Sequence, residues 1–282
     1  MACFQGRKKK PLCVDHVTYL VENQSMNFGS FEYRQQPRPV YHDLFLQTMS
    51  RAPPDIHLFC CSSTAAPRRQ ELVKFLRDLS SSQDVPPSPQ TLQILFSFSV
   101  PTLEALGVIR QWSEMDHEPV VSLGCGLAYW EYLLAASGVP VHAFDNGAAG
   151  YPPEMMYMEV GQGGPQLLGT FPKAILLLAW PDQEEESTFS LECLENFRGD
   201  TIIHVGELFG ETQSPHPWGA STSSKFQLAL LAHFRLVQRV PLPNWPGLRD
   251  TLTVWRRLEA PVECDGALFG HLKEPVVGKG CS

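Results

Sequence analysis

The stretch from Pro119 to Asp145, P-V-V-S-L-G-C-G-L-A-Y-W-E-Y-L-L-A-A-S-G-V-P-V-H-A-F-D, constrains the fold more than any other part of the chain. Val120, Val121 and Leu123 make the short apolar run of a strand buried on both faces. Gly124 and Gly126 follow at once, where the chain turns tightly out of that strand. Ala128 to Ala136 has the composition of a helix, with Trp130, Leu133 and Leu134 on one side, and Gly138 ends it in the left-handed position that glycine favours. Val139, Val141, Ala143 and Phe144 form a second strand, closed by Asp145. A glycine pair leaves the backbone open to a ligand, and the helix start offers free N–H groups. An acid at the second strand tip, about twenty residues on, suits the two hydroxyls of a ribose. The unit therefore reads as a nucleoside-cofactor site at the carboxyl edge of a parallel sheet, against the plainer alternative of a βαβ unit without a ligand.

A dinucleotide fingerprint, G-x-G-x-x-G, requires glycine at the sixth position from Gly124, where this chain has Tyr129. The segment L-G-C-G-L-A-Y-W instead resembles motif I of the class I S-adenosylmethionine-dependent methyltransferases, commonly D-L-G-C-G-T-G-Y. Asp145 matches that family's acid at the end of the second strand. Two positions depart from the pattern: Ser122 stands where the motif has its acid, and Ala128 where it has its third glycine. A serine still hydrogen-bonds but carries no charge, so it holds the cofactor's ammonium less well. The resemblance implies S-adenosylmethionine bound by Ser122, Gly124, Cys125, Gly126, Tyr129 and Asp145. Cys125 is read as a small packing residue of the turn, not a nucleophile.

The remaining elements are expected to complete an α/β domain. Pro101 opens a helix in the N-terminal position that proline favours, with Leu103, Leu106 and Ile109 on one face, leading into the Val120 strand; F-S-V-P-T-L-E-A-L resembles the aromatic-rich entry of an uncharacterised methyltransferase-like group. Asn146 to Pro153 is a loop, Tyr157 to Val160 a short third strand, and Gly161 to Gly164 a surface turn. Ala174 to Trp180, A-I-L-L-L-A-W, is a central strand buried on both faces. Glu184 to Phe197 is a helix with an acidic start, and Thr201 to Val205 a fifth strand. Ser224 to His233 is a helix, and Phe234 to Val240 with Leu252 to Arg257 an antiparallel pair at the sheet edge. Such a pair is how the class I methyltransferase sheet finishes. The expected fold class is thus α/β, Rossmann-like, a mostly parallel seven-stranded sheet with an antiparallel strand pair at its C-terminal end and helices on both faces. The domain spans 86–258, after an N-terminal extension over 1–85 and before a tail over 259–282. Within the extension, Val14 to Val21 suggests a strand, and Tyr41 to Met49 and Arg68 to Leu79 suggest helices. Ser80 to Pro89 reads as a linker.

Loops at the carboxyl edge of an open α/β sheet form its ligand crevice. Trp180, in W-P-D where the resembled family often has N/D-P-P-Y/F, is a candidate substrate contact or a cap on the core. Trp245 is a second substrate candidate, or a pin for the connection that it shares with Asp250. Glu207 and Asp182 are the candidate general bases; His216 is an exposed loop residue and His204 a core residue. Net charge is −8 over 282 residues, which disfavours a broad nucleic-acid surface. The eight cysteines show no metal spacing, so no metal is expected, and scattered thiols fit a reducing compartment. No apolar run approaches the roughly twenty residues of a membrane helix. Arg7 to Lys10 is a solvated terminus or a nuclear address, so the expected location is cytoplasmic or nuclear. The expected function is methyl transfer from S-adenosylmethionine to a small molecule or protein, with a protein partner for the N-terminal extension. A methyltransferase-like binding protein without turnover is the alternative, and a dinucleotide oxidoreductase a third.

Overall fold

The computed structural model describes residues 40–50, 74, 89, 92–93, 96–147, 156–182 and 186–262. The strand and helix expected at Val14 to Val21 and Arg68 to Leu79 (Lys74 apart) and most of the 80–89 linker lie outside these residues. Helix α1 is Val40–Met49 and α2 is Leu103–Asp116. The Thr102 hydroxyl caps α2 by accepting from the Ala105 N–H at 3.1 Å, so Pro101 precedes the cap instead of occupying the first helical position. Strand β1 (Val120–Leu123), α3 (Tyr129–Ala136) and β2 (Val141–Asp145) reproduce the unit expected from the glycine turn.

The third strand differs from expectation. Tyr157 to Val160 is not a strand; β3 is Gly161–Gln162, inside the stretch expected as a surface turn. It pairs Gly161 with Phe144 and Gln162 with Asp145. A Cβ on Gly161 would lie 2.6 Å from the Phe144 ring, so only glycine lets this edge close onto β2. A 3₁₀ helix, Pro165–Thr170, follows. Then come β4 (Ile175–Ala179), α4 (Phe189–Asn196), β5 (Thr201–Gly206), α5 (Ser224–His233), β6 (Phe234–Pro241) and β7 (Thr251–Arg257). Helix α4 starts five residues later than its acidic composition suggested, after Thr188.

Among the described residues the sheet runs 3-2-1-4-5-7-6, with β7 antiparallel to both β5 and β6 and the other pairings parallel. This is the Rossmann-like class I methyltransferase architecture. Side chains alternate across it. Val120, Ile175, Leu177, Ile203, Val205, Leu252 and Val254 pack against α1, α2 and α3. Val121, Leu123, Leu176, Leu178, Ile202 and Trp255 pack against the 3₁₀ helix, α4 and α5. No helix among the described residues is long and apolar enough to cross a membrane.

Helix α1 belongs to the first of these layers. Tyr41, Leu44 and Phe45 are buried with the sheet residues. The Tyr41 ring stacks on Phe96 at 5.0 Å, and its backbone N–H donates to the Tyr129 hydroxyl at 3.3 Å. The boundary expected at residue 85 therefore does not divide the packing, because a helix from the extension completes the core of the sheet domain.

Candidate functional site

The carboxyl edge brings together the tips of β1, β2, β4 and β5. At β1, the chain leaves the strand through Gly124 (φ +69), Gly126 (φ +55) and Ala128 (φ +59), three left-handed residues in five. Ala128 thus adopts the conformation that the resembled motif assigns to glycine, at a backbone cost of about 1–2 kcal/mol. The Asp145 carboxylate locks the turn from the neighbouring strand. Its Oδ2 accepts from the Gly126 N–H at 2.9 Å and its Oδ1 from the Gly147 N–H at 2.7 Å. Asp145 is half-buried, and each oxygen keeps a lone pair. The turn and the acid that the sequence linked over nineteen residues are in direct contact.

A Cβ on Gly124 would stand 2.9 Å from the Phe189 ring, so the side chain missing there makes room for α4. Ser122 is buried, and its hydroxyl donates to Glu131 Oε1 at 2.5 Å. Glu131 escaped the sequence reading because a glutamate in the first turn of a helix ordinarily faces water. Here it is 1 % exposed, and burial pushes its carboxyl up to about 7, the Asp145 charge adding to the rise. A buried acid thus stands against Ser122 from the first turn of α3. Tyr129 is also turned inward, its hydroxyl accepting from Tyr41. The half-buried Cys125 thiol is pushed well above its ordinary range, by burial first and then by Glu131 and Asp145, so it stays protonated.

At the β4 tip Trp180 takes φ +51, a left-handed conformation unusual for a bulky residue. It is half-buried and its ring stacks on Phe98 at 5.1 Å. Its indole N–H donates to Asp250 Oδ1 at 2.9 Å. Asp250 is itself buried, which pushes its carboxyl up to about 7; the indole hydrogen bond opposes the rise and the Glu207 charge adds to it. Asp250 was a loop candidate in the sequence and becomes the anchor of Trp180.

Three candidates have other work. Asp182 is buried, and its carboxylate accepts from the hydroxyls of Ser187 and Ser190 and from the N–H groups of Ser190 and Ser223. Glu207 is buried too, with Oε1 on the Arg249 N–H and Oε2 on the Ala220 N–H, each at 3.0 Å. Both carboxylates are buried and hold loops in place. Trp245 does not face the crevice. It is 3 % exposed, its N–H donates to the Tyr41 hydroxyl at 2.8 Å, and its ring meets Phe45 edge-on at 4.8 Å. An aromatic residue in a Pro-rich connection looks like a surface contact until the helix that covers it is known.

No protein-family model and no curated protein matches the sequence. Solved structures with a similar arrangement include the 1,6-didemethyltoxoflavin N1-methyltransferase of Burkholderia thailandensis with S-adenosylhomocysteine bound. It is 17 % identical over 70 % of this chain and 93 % of its own, with a TM-score of 0.37. The magnesium protoporphyrin IX methyltransferase of Synechocystis is 13 % identical over 55 % of this chain and 82 % of its own, TM-score 0.34. The glycopeptide N-methyltransferase MtfA, in complex with sinefungin, is 10 % identical over 55 % and 94 %, TM-score 0.33. Likenesses this distant add nothing to the strand order, which stands on its own pairings.

Proposed function

We propose that the chain binds S-adenosylmethionine at the β1–β2 edge and transfers its methyl group to a small molecule or protein. The observation that supports this reading most is the contact between the Asp145 carboxylate and the Gly126 N–H, in a sheet of class I order. The residues there fit the cofactor: a half-buried carboxylate with lone pairs to spare for a ribose, beside a turn with no side chain at Gly126. Gly126 and Asp145 would hold it, with Gly124 and Cys125 shaping the turn. When bound, the cofactor supplies a methyl group already activated by a positively charged sulfur. The chain then has to align the acceptor and keep water out. Trp180, stacked on Phe98 and fixed by Asp250, is the side chain we assign to the acceptor.

A second reading, a binding protein without turnover, draws on a specific observation. Asp182 and Glu207 are both occupied by structural hydrogen bonds, and Asp250 is shut behind Trp180. An acceptor that arrives unprotonated needs no base, so this arrangement limits the acceptor without abolishing the reaction. Thermal unfolding with S-adenosylmethionine, S-adenosylhomocysteine and NAD tests the binding step. A ligand at about 100 times its dissociation constant adds roughly 2.7 kcal/mol, or roughly 5–10 °C for a domain of this size. The expected result is a shift with the two adenosyl ligands, none with NAD, and a smaller shift in Asp145→Asn. No shift at millimolar adenosyl ligand overturns the proposal; a shift without methyl transfer to any acceptor selects the second reading.

A further inference from the structure

The first turn of α3 buries an acid where the fold offers it no cation. A glutamate at the positive end of a helix ordinarily lies in water, whereas Glu131 is 1 % exposed. Its one side-chain partner among the described residues is the Ser122 hydroxyl, which donates to Oε1 at 2.5 Å. Ser122 stands two residues before Gly124, so this bond sets a buried carboxyl at the base of the glycine turn. Burying an ionisable group is costly unless it is paired, and groups perturbed in this way gather at functional sites.

The groups that face Glu131 come from three elements. Ser122 is on β1 and Cys125 is in the turn. Asp145 is at the tip of β2, where its carboxylate accepts from the Gly126 and Gly147 N–H groups. Glu131 and Asp145 both act on the Cys125 thiol, and Asp145 acts on Glu131, so the two acids and the turn lie within reach of one another's charge. Cys125 stays protonated and adds no charge of its own. Among the described residues, no lysine, arginine or histidine pairs with either acid. The charge at the turn is therefore acidic and unbalanced. The buried acid relieves the repulsion by holding a proton: burial pushes its carboxyl up to about 7, the Ser122 hydrogen bond opposing the rise and the Asp145 charge adding to it.

Such an arrangement responds to the charge of whatever sits on the turn. The inference rests on the binding reading given above, in which the cofactor lies against Gly126 and Asp145. S-adenosylmethionine carries a positive sulfur. Once the methyl group has left, the sulfur of S-adenosylhomocysteine is neutral, and the two molecules are otherwise alike. A cation near Glu131 favours its charged form, so its proton leaves to water when the charged ligand binds. A neutral sulfur gives no such push. We propose that Glu131 is a specificity residue for the cofactor, one that ionises in answer to the positive sulfur and stays protonated against the neutral product, so that the chain prefers S-adenosylmethionine to S-adenosylhomocysteine. A unit charge within about 10 Å of a buried partner, at an effective dielectric constant of about 20, changes an affinity roughly tenfold.

Titration calorimetry of the full chain with each of the two ligands, between about pH 5.5 and about pH 8, tests this. The ratio of the two affinities is the readout, because both ligands share an ammonium and a carboxylate whose own titration cancels. The expected ratio favours S-adenosylmethionine, rises severalfold as pH climbs toward about 7, and levels beyond it. At about pH 6.5, buffers of different ionisation heat should report about half a proton released with S-adenosylmethionine and none with S-adenosylhomocysteine. Glu131→Gln keeps the shape of the side chain and should flatten the ratio and abolish the release. Ser122→Ala removes the bond that favours the charged form, so the rise should move to higher pH. A purely structural role for the pair would change stability and leave the ratio level with pH. A level ratio in the wild type, or one that keeps its pH dependence in Glu131→Gln, would overturn the proposal and leave cofactor binding standing. Binding of neither ligand would overturn both.

Discussion

Replacing Glu131 with glutamine should make the protein more stable at neutral and alkaline pH and leave it nearly unchanged in acid. Glutamine keeps the size of the side chain and an oxygen to accept from Ser122, and removes only the ability to ionise. Burial raises the Glu131 carboxyl from 4.5 to about 7, so the folded protein holds this proton more tightly than the unfolded chain does. Stability from this group is therefore fully present below pH 4.5, falls as pH rises through about 7, and is level above that. At roughly 1.4 kcal/mol for each pKa unit, the loss amounts to about 3 kcal/mol. Glu131→Gln should accordingly exceed the wild type by about 3 kcal/mol at pH 8 and by little at pH 4.5. Urea unfolding at half-unit steps between these limits measures the difference. Asp250 pulls the wild-type curve in the same direction. His204, lowered to about 3, pulls it in the opposite direction below pH 6.5. Both are common to the two proteins, so the difference curve isolates Glu131. A difference that does not change with pH, or a variant less stable than the wild type at pH 8, would refute the reasoning.

Other substitutions test neighbouring parts of the account. Gly124→Ala forces a left-handed alanine against Phe189 and should cost about 1–2 kcal/mol from the backbone alone. The double variant with Phe189→Leu should recover the part due to the ring, as measured by a double-mutant cycle in urea; a single variant as stable as the wild type contradicts the packing. Asp182→Ala strands four donors at once and is expected to cost about 3 kcal/mol or more, seen as a lower urea midpoint. Trp245→Phe removes the bond to the Tyr41 hydroxyl and should cost about 1–2 kcal/mol. It should leave adenosyl-ligand affinity unchanged, which calorimetry can check, because the indole lies inside the core.

The sheet was legible because its strands carry their own signals. Val120 to Leu123, Ile175 to Ala179 and Thr201 to Val205 are apolar runs ended by turn residues, and nothing long-range is needed to recognise them. Asp145 was legible for a similar reason, since its distance from Gly126 is fixed by one βαβ unit. Gly161–Gln162 was not: a two-residue edge strand exists only because Phe144 covers a glycine, and no periodicity records that. Of the candidate site, the geometry of the glycine turn was legible and the rest less so. Glu131 became important by burial, which one sequence does not display. Asp182 and Glu207 sit at the strand tips where a reactive acid would sit, but serine hydroxyls and loop N–H groups occupy them. Each of those partners is local to a loop whose path the sequence leaves open. For Trp245 the sequence offers both a substrate contact and a pin for its connection, and does not decide between them for want of Tyr41, which lies 204 residues away.

That separation also bears on how the chain folds. Tyr41 meets Tyr129 across 88 residues and Trp245 across 204, so the contacts of α1 are complete only when both α3 and the β6–β7 connection are in place. Closing such long loops is entropically costly before other contacts repay it, and contacts of this kind form late. Helix α1 thus acts as a latch that engages after the sheet has formed. Substitution of Tyr41 is expected to speed unfolding while leaving the refolding rate nearly unchanged. The half-life of the folded protein, more than its ability to fold, then rests on one tyrosine.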